Sequence, residues 1–208
     1  MTYVKPILLA MLFAGTFATP SFSQIKFKLQ WLPDSLAWGV FAMPEAGVSP
    51  SSYVLVGSGQ ATVVAPTGTT FVNLKNFSGN WVQNALVPHP VENPGMDYIS
   101  FGFMTAEPPL KIYAAEETLL FTFQNGRQEV PESLSLIAKE DPFNVFPNSV
   151  NANPGNDITL MDGRDGAIYY FTGIYAHNAW DPRPERLVPQ GPFRKGDDKP
   201  RKIEVIRP

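Results

Sequence analysis

The sequence predicts an all-β chain, a two-sheet β-sandwich of about nine to ten strands, and three observations predict it. Short apolar or alternating runs recur along the chain, separated by Gly, Pro, Asn and Ser. Beyond residue 23 no stretch carries sustained helical periodicity. None of the 208 residues is Cys, so the core must be held by packing and sheet hydrogen bonds rather than by disulfides.

The elements follow in order. Lys5 precedes an apolar run at 7–17, and Ser21-Phe22-Ser23 sets small residues before Gln24. This is the pattern of a secretory signal helix, cleaved after residue 23, because a run of about 11 residues is well short of the ~20 that span a bilayer. The mature chain is thus expected outside the cytoplasm, secreted or at the cell surface, with the periplasm as the alternative.

The first strand covers 25–31, where Phe27, Leu29 and Trp31 share one face and Lys26, Lys28 and Gln30 the other. A second strand follows at 36–43. Strands at 53–56 and 60–65 flank Gly57-Ser58-Gly59, which reads as a hairpin because Gly accepts positive φ. Next come strands at 71–75 and at 98–104, the latter with Ile99, Phe101 and Phe103 opposite Ser100 and Gly102. Leu119-Leu120-Phe121-Thr122-Phe123 is apolar almost throughout and marks 118–124 as a central strand, closed by Asn125-Gly126. Strands at 134–138, 157–161 and 168–174 complete one domain over 24–180.

Residues 181–208 form an irregular tail that is rich in Pro, with eight basic residues against five acidic, whereas 24–180 has seven basic against fourteen acidic. An acidic body repels nucleic acid. The basic tail suits an acidic partner, or the chain's own body, through Arg194, Lys195, Arg201, Lys202 and Arg207. Within it Lys202-Ile203-Glu204-Val205-Ile206-Arg207 alternates enough for one short edge strand that could dock on a neighbour's sheet. No further membrane span follows the signal.

Little in the chain points to catalysis. Thiol chemistry needs Cys, and a Ser-His-Asp enzyme would need His89 or His177, neither of which accompanies a Gly-x-Ser-x-Gly turn. Glu116 and Glu117 are adjacent, so on a strand they face opposite ways and cannot form a glycosidase pair. The chain is therefore expected to be no enzyme and to need no cofactor or metal. Asp157, Asp162 and Asp165 offer oxygens that Ca²⁺ would accept, but Asp162-Gly163-Arg164-Asp165-Gly166 also reads as a tight hairpin. Trp81, Tyr175, His177 and Trp180 stand among amides and hydroxyls, as rings that stack a sugar do, although such rings are also ordinary core residues at sandwich ends, the reading that Trp81 favours. Asn76-Phe77-Ser78 fits the N-glycosylation pattern, which matters in a eukaryotic host.

Ala61-Thr62-Val63-Val64, Asn80-Trp81-Val82-Gln83-Asn84-Ala85, Asp97-Tyr98-Ile99-Ser100-Phe101-Gly102 and Leu119-Leu120-Phe121-Thr122-Phe123 occur in that order. Asp141-Pro142-Phe143, the Asn-rich 148–156 and Ile158-Thr159 follow. In this series, over 25–175, the chain resembles the cohesin-like β-sandwich segments of secreted and surface proteins of Gram-negative, type IX-secreting bacteria. The resemblance implies a non-catalytic jelly roll used in adhesion, scaffolding or assembly, with other protein subunits or copies of itself as partners. A carbohydrate-binding module that uses the surface aromatics on a glycan is the alternative.

Overall fold

The computed structural model describes residues 23–45, 54–126 and 134–175. The expected signal helix, the tail with Arg194, Lys195, Arg201, Lys202 and Arg207, and the candidate ligand residues His177 and Trp180 lie outside them. The described residues form ten strands: β1 (Ser23–Leu32), β2 (Ala37–Pro44), β3 (Val54–Pro66), β4 (Phe71–Asn76), β5 (Asn80–Val87), β6 (Met96–Thr105), β7 (Thr118–Asn125), β8 (Ser135–Leu136), β9 (Asp157–Asp162) and β10 (Ile168–Ile174). Short 3₁₀ turns at Pro33–Ser35 and Pro142–Asn144 are the only helical elements among them. The all-β class is as the sequence predicts.

The strands hydrogen-bond in the order β4-β7-β2-β1-β10-β9-β3-β6-β5, with β8 paired to β3. Where two sheets were expected, the ladder is a single path that curls until its ends almost meet, nearly a closed barrel. Its curl is visible in the core. β6 and β7 sit near opposite ends of the ladder, yet the rings of Phe101 and Phe123 stack with centroids 5.3 Å apart, and Phe101 meets Phe121 at 4.9 Å. Trp81 on β5 meets Phe121 at 5.4 Å, and Phe71 on β4 meets Phe101 on β6 at 6.2 Å. Each such ring, removed from water, contributes about 1.5–3 kcal/mol of burial.

Seven expected strands, those at β1, β2, β4, β6, β7, β9 and β10, are found within two residues of their predicted limits. On β1 the alternation holds, with Ile25, Phe27 and Leu29 fully buried. Two expectations are corrected. Gly57-Ser58-Gly59 is no hairpin: β3 runs straight through it, and a register shift against β9 between Val56 and Ser58 absorbs the extra residue. Gly59 is needed for a different reason, since a Cβ there would lie 2.8 Å from Phe103 Cβ and 2.9 Å from Trp81 Cη2. The second correction is β5, a strand the sequence reading left out, whose register shifts at Asn80/Trp81 and Gln83/Ala85 break the period-two pattern. The strand expected at 134–138 is reduced to Ser135–Leu136.

Candidate functional site

Between β8 and β9 the chain makes a long excursion that packs on the outward side of β3 and β6. Val64 and Tyr98 face outward there, and with Ile137 and Phe143 they build a second small core. The rings of Tyr98 and Phe143 lie 4.5 Å apart. The Tyr98 hydroxyl donates to Asp141 Oδ1 at 2.8 Å and accepts from Asn93 Nδ2 at 2.9 Å. Burial pushes this phenol up to about 12, so it stays a proton donor. Asp141 Oδ1 also accepts from the Phe143 amide and starts the 3₁₀ turn.

Asparagines secure the rest of the excursion, because a carboxamide can both donate and accept. Asn148 Nδ2 donates to the carbonyls of Phe143 and Ala152 at 2.9 and 2.7 Å, and its Oδ1 accepts from Ala152 N. Asn156 accepts from Thr62 N and donates to Ile137 O. Gln60 donates to the carbonyls of Asn153 and Gly155. The β5–β6 loop is set in the same way, with buried Asp97 accepting from Gly68 N at 2.8 Å and His89 N at 2.9 Å. His89 is thereby a loop residue held through its backbone.

The two loops are joined by Glu92, whose carboxylate accepts from Ser149 N at 2.6 Å and Ser149 Oγ at 2.7 Å. Beside this clamp stand large apolar side chains in water: Val91 is 82% exposed, Phe146 67%, Val145 60% and Val150 48%. All four sit on the two loops that this clamp joins, which together form the apolar tip of the barrel. A second apolar row crosses the outside of the sheet, where Leu55 on β3 and Ile168 on β10 both pair with Met161 on β9, all three exposed.

The Ser149 hydroxyl holds the Glu92 carboxyl below its ordinary value of 4.5. A group whose folded value is lowered stabilises the native state above its unfolded value, and that help is lost as pH falls through the folded one. We expect the Ser149 amide resonance to titrate with a midpoint below 4.5, and Glu92→Gln to remove the titration. An unchanged Ser149 signal across that range would mean that the clamp is not formed in solution.

Of the predicted ligand residues Trp81 and Tyr175 are described, and they stand on different strands, Trp81 on β5 and Tyr175 just past the end of β10. Trp81 is fully buried, and its Nε1 donates to Ser78 O at 2.9 Å, so it presents no ring to a glycan. It is a core residue because the flanking amides that suggested a sugar site cap strand ends instead. Asn76 accepts from Trp81 N at 3.0 Å and donates to Trp81 O at 3.1 Å, which also occupies the amide of the glycosylation pattern. Tyr175 is half-buried at the end of β10, where its ring and that of Phe41 lie 5.4 and 5.0 Å from Lys28 Nζ. Lys28 is mostly buried although it points outward, and it pairs with Glu117. Burial first, then the charge of Glu117, pushes the Tyr175 hydroxyl well above the usual phenol range. The rings and carboxylate shelter one ammonium, a structural role.

Asp157 and Asp162 stand at opposite ends of β9, about 16 Å apart at strand rise, and on opposite faces. Asp157 accepts from Ser58 Oγ, while Asp162 and Asp165 accept from Arg164 N and Ala167 N. Gly166, at φ 74°, completes the tight hairpin reading of this segment. Among the described residues no three His, Asp or Glu side chains gather as a cation site.

The apolar tip was missed in the sequence. Its signal was present: Val91, Val145 and Phe146 are large apolar residues in Pro- and Asn-containing stretches that fit no strand. A scan against protein-family models finds no match, and neither the curated proteins nor the solved structures include a significant match to this chain. Among the described residues no helix is long and apolar enough to cross a membrane.

Proposed function

We propose that this chain is an exported, non-catalytic cohesin-like β module that serves as a structural or adhesive subunit through protein-protein contacts. The observation that carries the reading is the tip, where Val91, Val145, Phe146 and Val150 stand in water on loops braced by Glu92 and Ser149. Exposed apolar residues on a rigid frame favour binding to another protein, because little side-chain and loop freedom is lost on docking. The strand order supports the jelly-roll reading. The antiparallel crossovers that place β7 beside β2 and β9 beside β3 belong to Greek-key connectivity rather than to a simple meander, while the β1–β10 pair is parallel and departs from it. On this reading the β4-β7-β2-β1-β10 and β9-β3-β6-β5 halves are the two layers of a sandwich, joined by the short β9–β10 ladder.

A photo-crosslinking residue in place of Phe146, in the producing cell, is expected to give a discrete protein adduct, and the same residue in place of exposed Lys75 is not. Adding Val91→Lys should weaken the Phe146 adduct severalfold. Loss of any protein adduct, together with binding of the purified chain to soluble glycans, would overturn the reading in favour of the carbohydrate module.

A further inference from the structure

We propose that residues 202–207 of one copy add as a strand to the free edge of β5 in a second copy, so that chains assemble head to tail. This rests on the subunit reading above and names a self-contact distinct from the tip. The surface that receives the strand follows from the ladder. β4 and β5 are its two ends, so each pairs with one neighbour only. Near their turn the Asn76 side chain imitates a peptide group towards Trp81, but beyond that point no described strand covers the outer side of residues 82–87.

The two edges are not equally open. Edge strands are commonly blunted by charge, irregularity or shortness. β4 has all three: six residues, Lys75, and a break in register between Val72 and Lys75 at Asn73, whose φ is 54°. β5 has eight residues and no charge, and its stretch Gln83-Asn84-Ala85-Leu86 is exposed throughout, Leu86 by 50%. Its bulges twist the strand, but nothing charged guards it.

The occupant is written in the sequence. Lys202-Ile203-Glu204-Val205-Ile206-Arg207 has three β-branched residues in six and ends at Pro208. It is basic where the body is acidic, which speeds encounter between copies. Residues 175–201, a spacer of 27 with five Pro, separate it from β10. At about 3.1 Å per residue such a spacer reaches about 80 Å, far beyond the ~20 Å that four strand spacings put between β10 and β5. A spacer so much longer than the span lowers the effective concentration of the segment at its own edge and lets it reach a neighbour. A contact between two different surfaces repeats from copy to copy, closing into a ring where the rotation allows and extending as a filament where it does not.

The test uses the purified exported chain in light scattering. Its mass should rise with concentration. A chain ending at Arg201 keeps the edge but lacks the segment, and Leu86→Lys keeps the segment but spoils the edge. Each is expected to be monomeric alone, and an equimolar mixture should give a species of twice the monomer mass that grows no further. Val205→Pro should match the truncation without shortening the chain. A mixture that stays monomeric, or a truncated chain that assembles like the full one, overturns the proposal. Protection of β5 amides in a monomeric full-length chain also overturns it, by placing the segment on its own barrel. The Phe146 adduct is independent of these outcomes, so a failed strand exchange with a persisting adduct leaves the subunit reading in place.

Discussion

Trp81→Ala is expected to be the most damaging single substitution in the described barrel, lowering stability by about 4 kcal/mol and the melting temperature by about 10 °C. The side chain is fully buried and meets Phe103 and Phe121 at 5.5 and 5.4 Å. Its indole N–H is satisfied by Ser78 O, so removal also leaves a carbonyl without its donor. Gly59 and Gly79 have no side chain partly because the indole fills their space, with ring atoms 2.9 and 3.1 Å from where a Cβ would stand. Those glycines cannot relax into the cavity, which keeps the cost near the upper part of the range for large aromatics. Urea denaturation checks it. A loss below about 1 kcal/mol would mean that the indole is not packed as described, and would return Trp81 to the list of surface rings.

Phe143→Ala should cost about 3 kcal/mol, with a different distribution. Phe143 is fully buried, but in the small outer core with Val64, Tyr98 and Ile137 rather than between the facing strands. Its loss should loosen the excursion that carries Val145, Phe146 and Val150 while leaving β1, β2 and β7 intact. Hydrogen exchange is expected to rise across the amides of 141–156, and the Phe146 adduct to fall severalfold. Equal rises over the whole barrel would show that the two cores unfold together and that the tip has no separate support.

The sequence made the inward faces of the strands readable because burial on one side imposes period two. Phe27, Leu29, Ile99 and Phe101 show this directly. It could not order the strands, since the pairing of β7 with β2 and of β9 with β3 depends on contacts far apart in the chain. Glycine misled at residues 57–59, where absence of a side chain serves a crossing by Trp81 and Phe103 rather than a turn. Trp81 kept both a core and a sugar-stacking reading open, because Asn and Ser beside an aromatic residue look alike whether they meet a sugar or cap the backbone. The tip was hidden because its support consists of side-chain hydrogen bonds such as Glu92 to Ser149, 57 residues apart, which no local pattern records.

The parallel pairing of β1 with β10 also sets a timetable for the chain. Ser23 lies opposite Tyr169 and Phe27 opposite Ile174, so the earliest strand waits for the latest before the barrel is sealed between them. Such distant pairing makes folding slow relative to local structure. In a polypeptide emerging with its N-terminus first, β4-β7-β2-β1 and β3-β6-β5 have no strand joining them until β9 and β10 arrive. Late joining thus leaves β1 and β9 in need of protection from stray partners until β10 is in place.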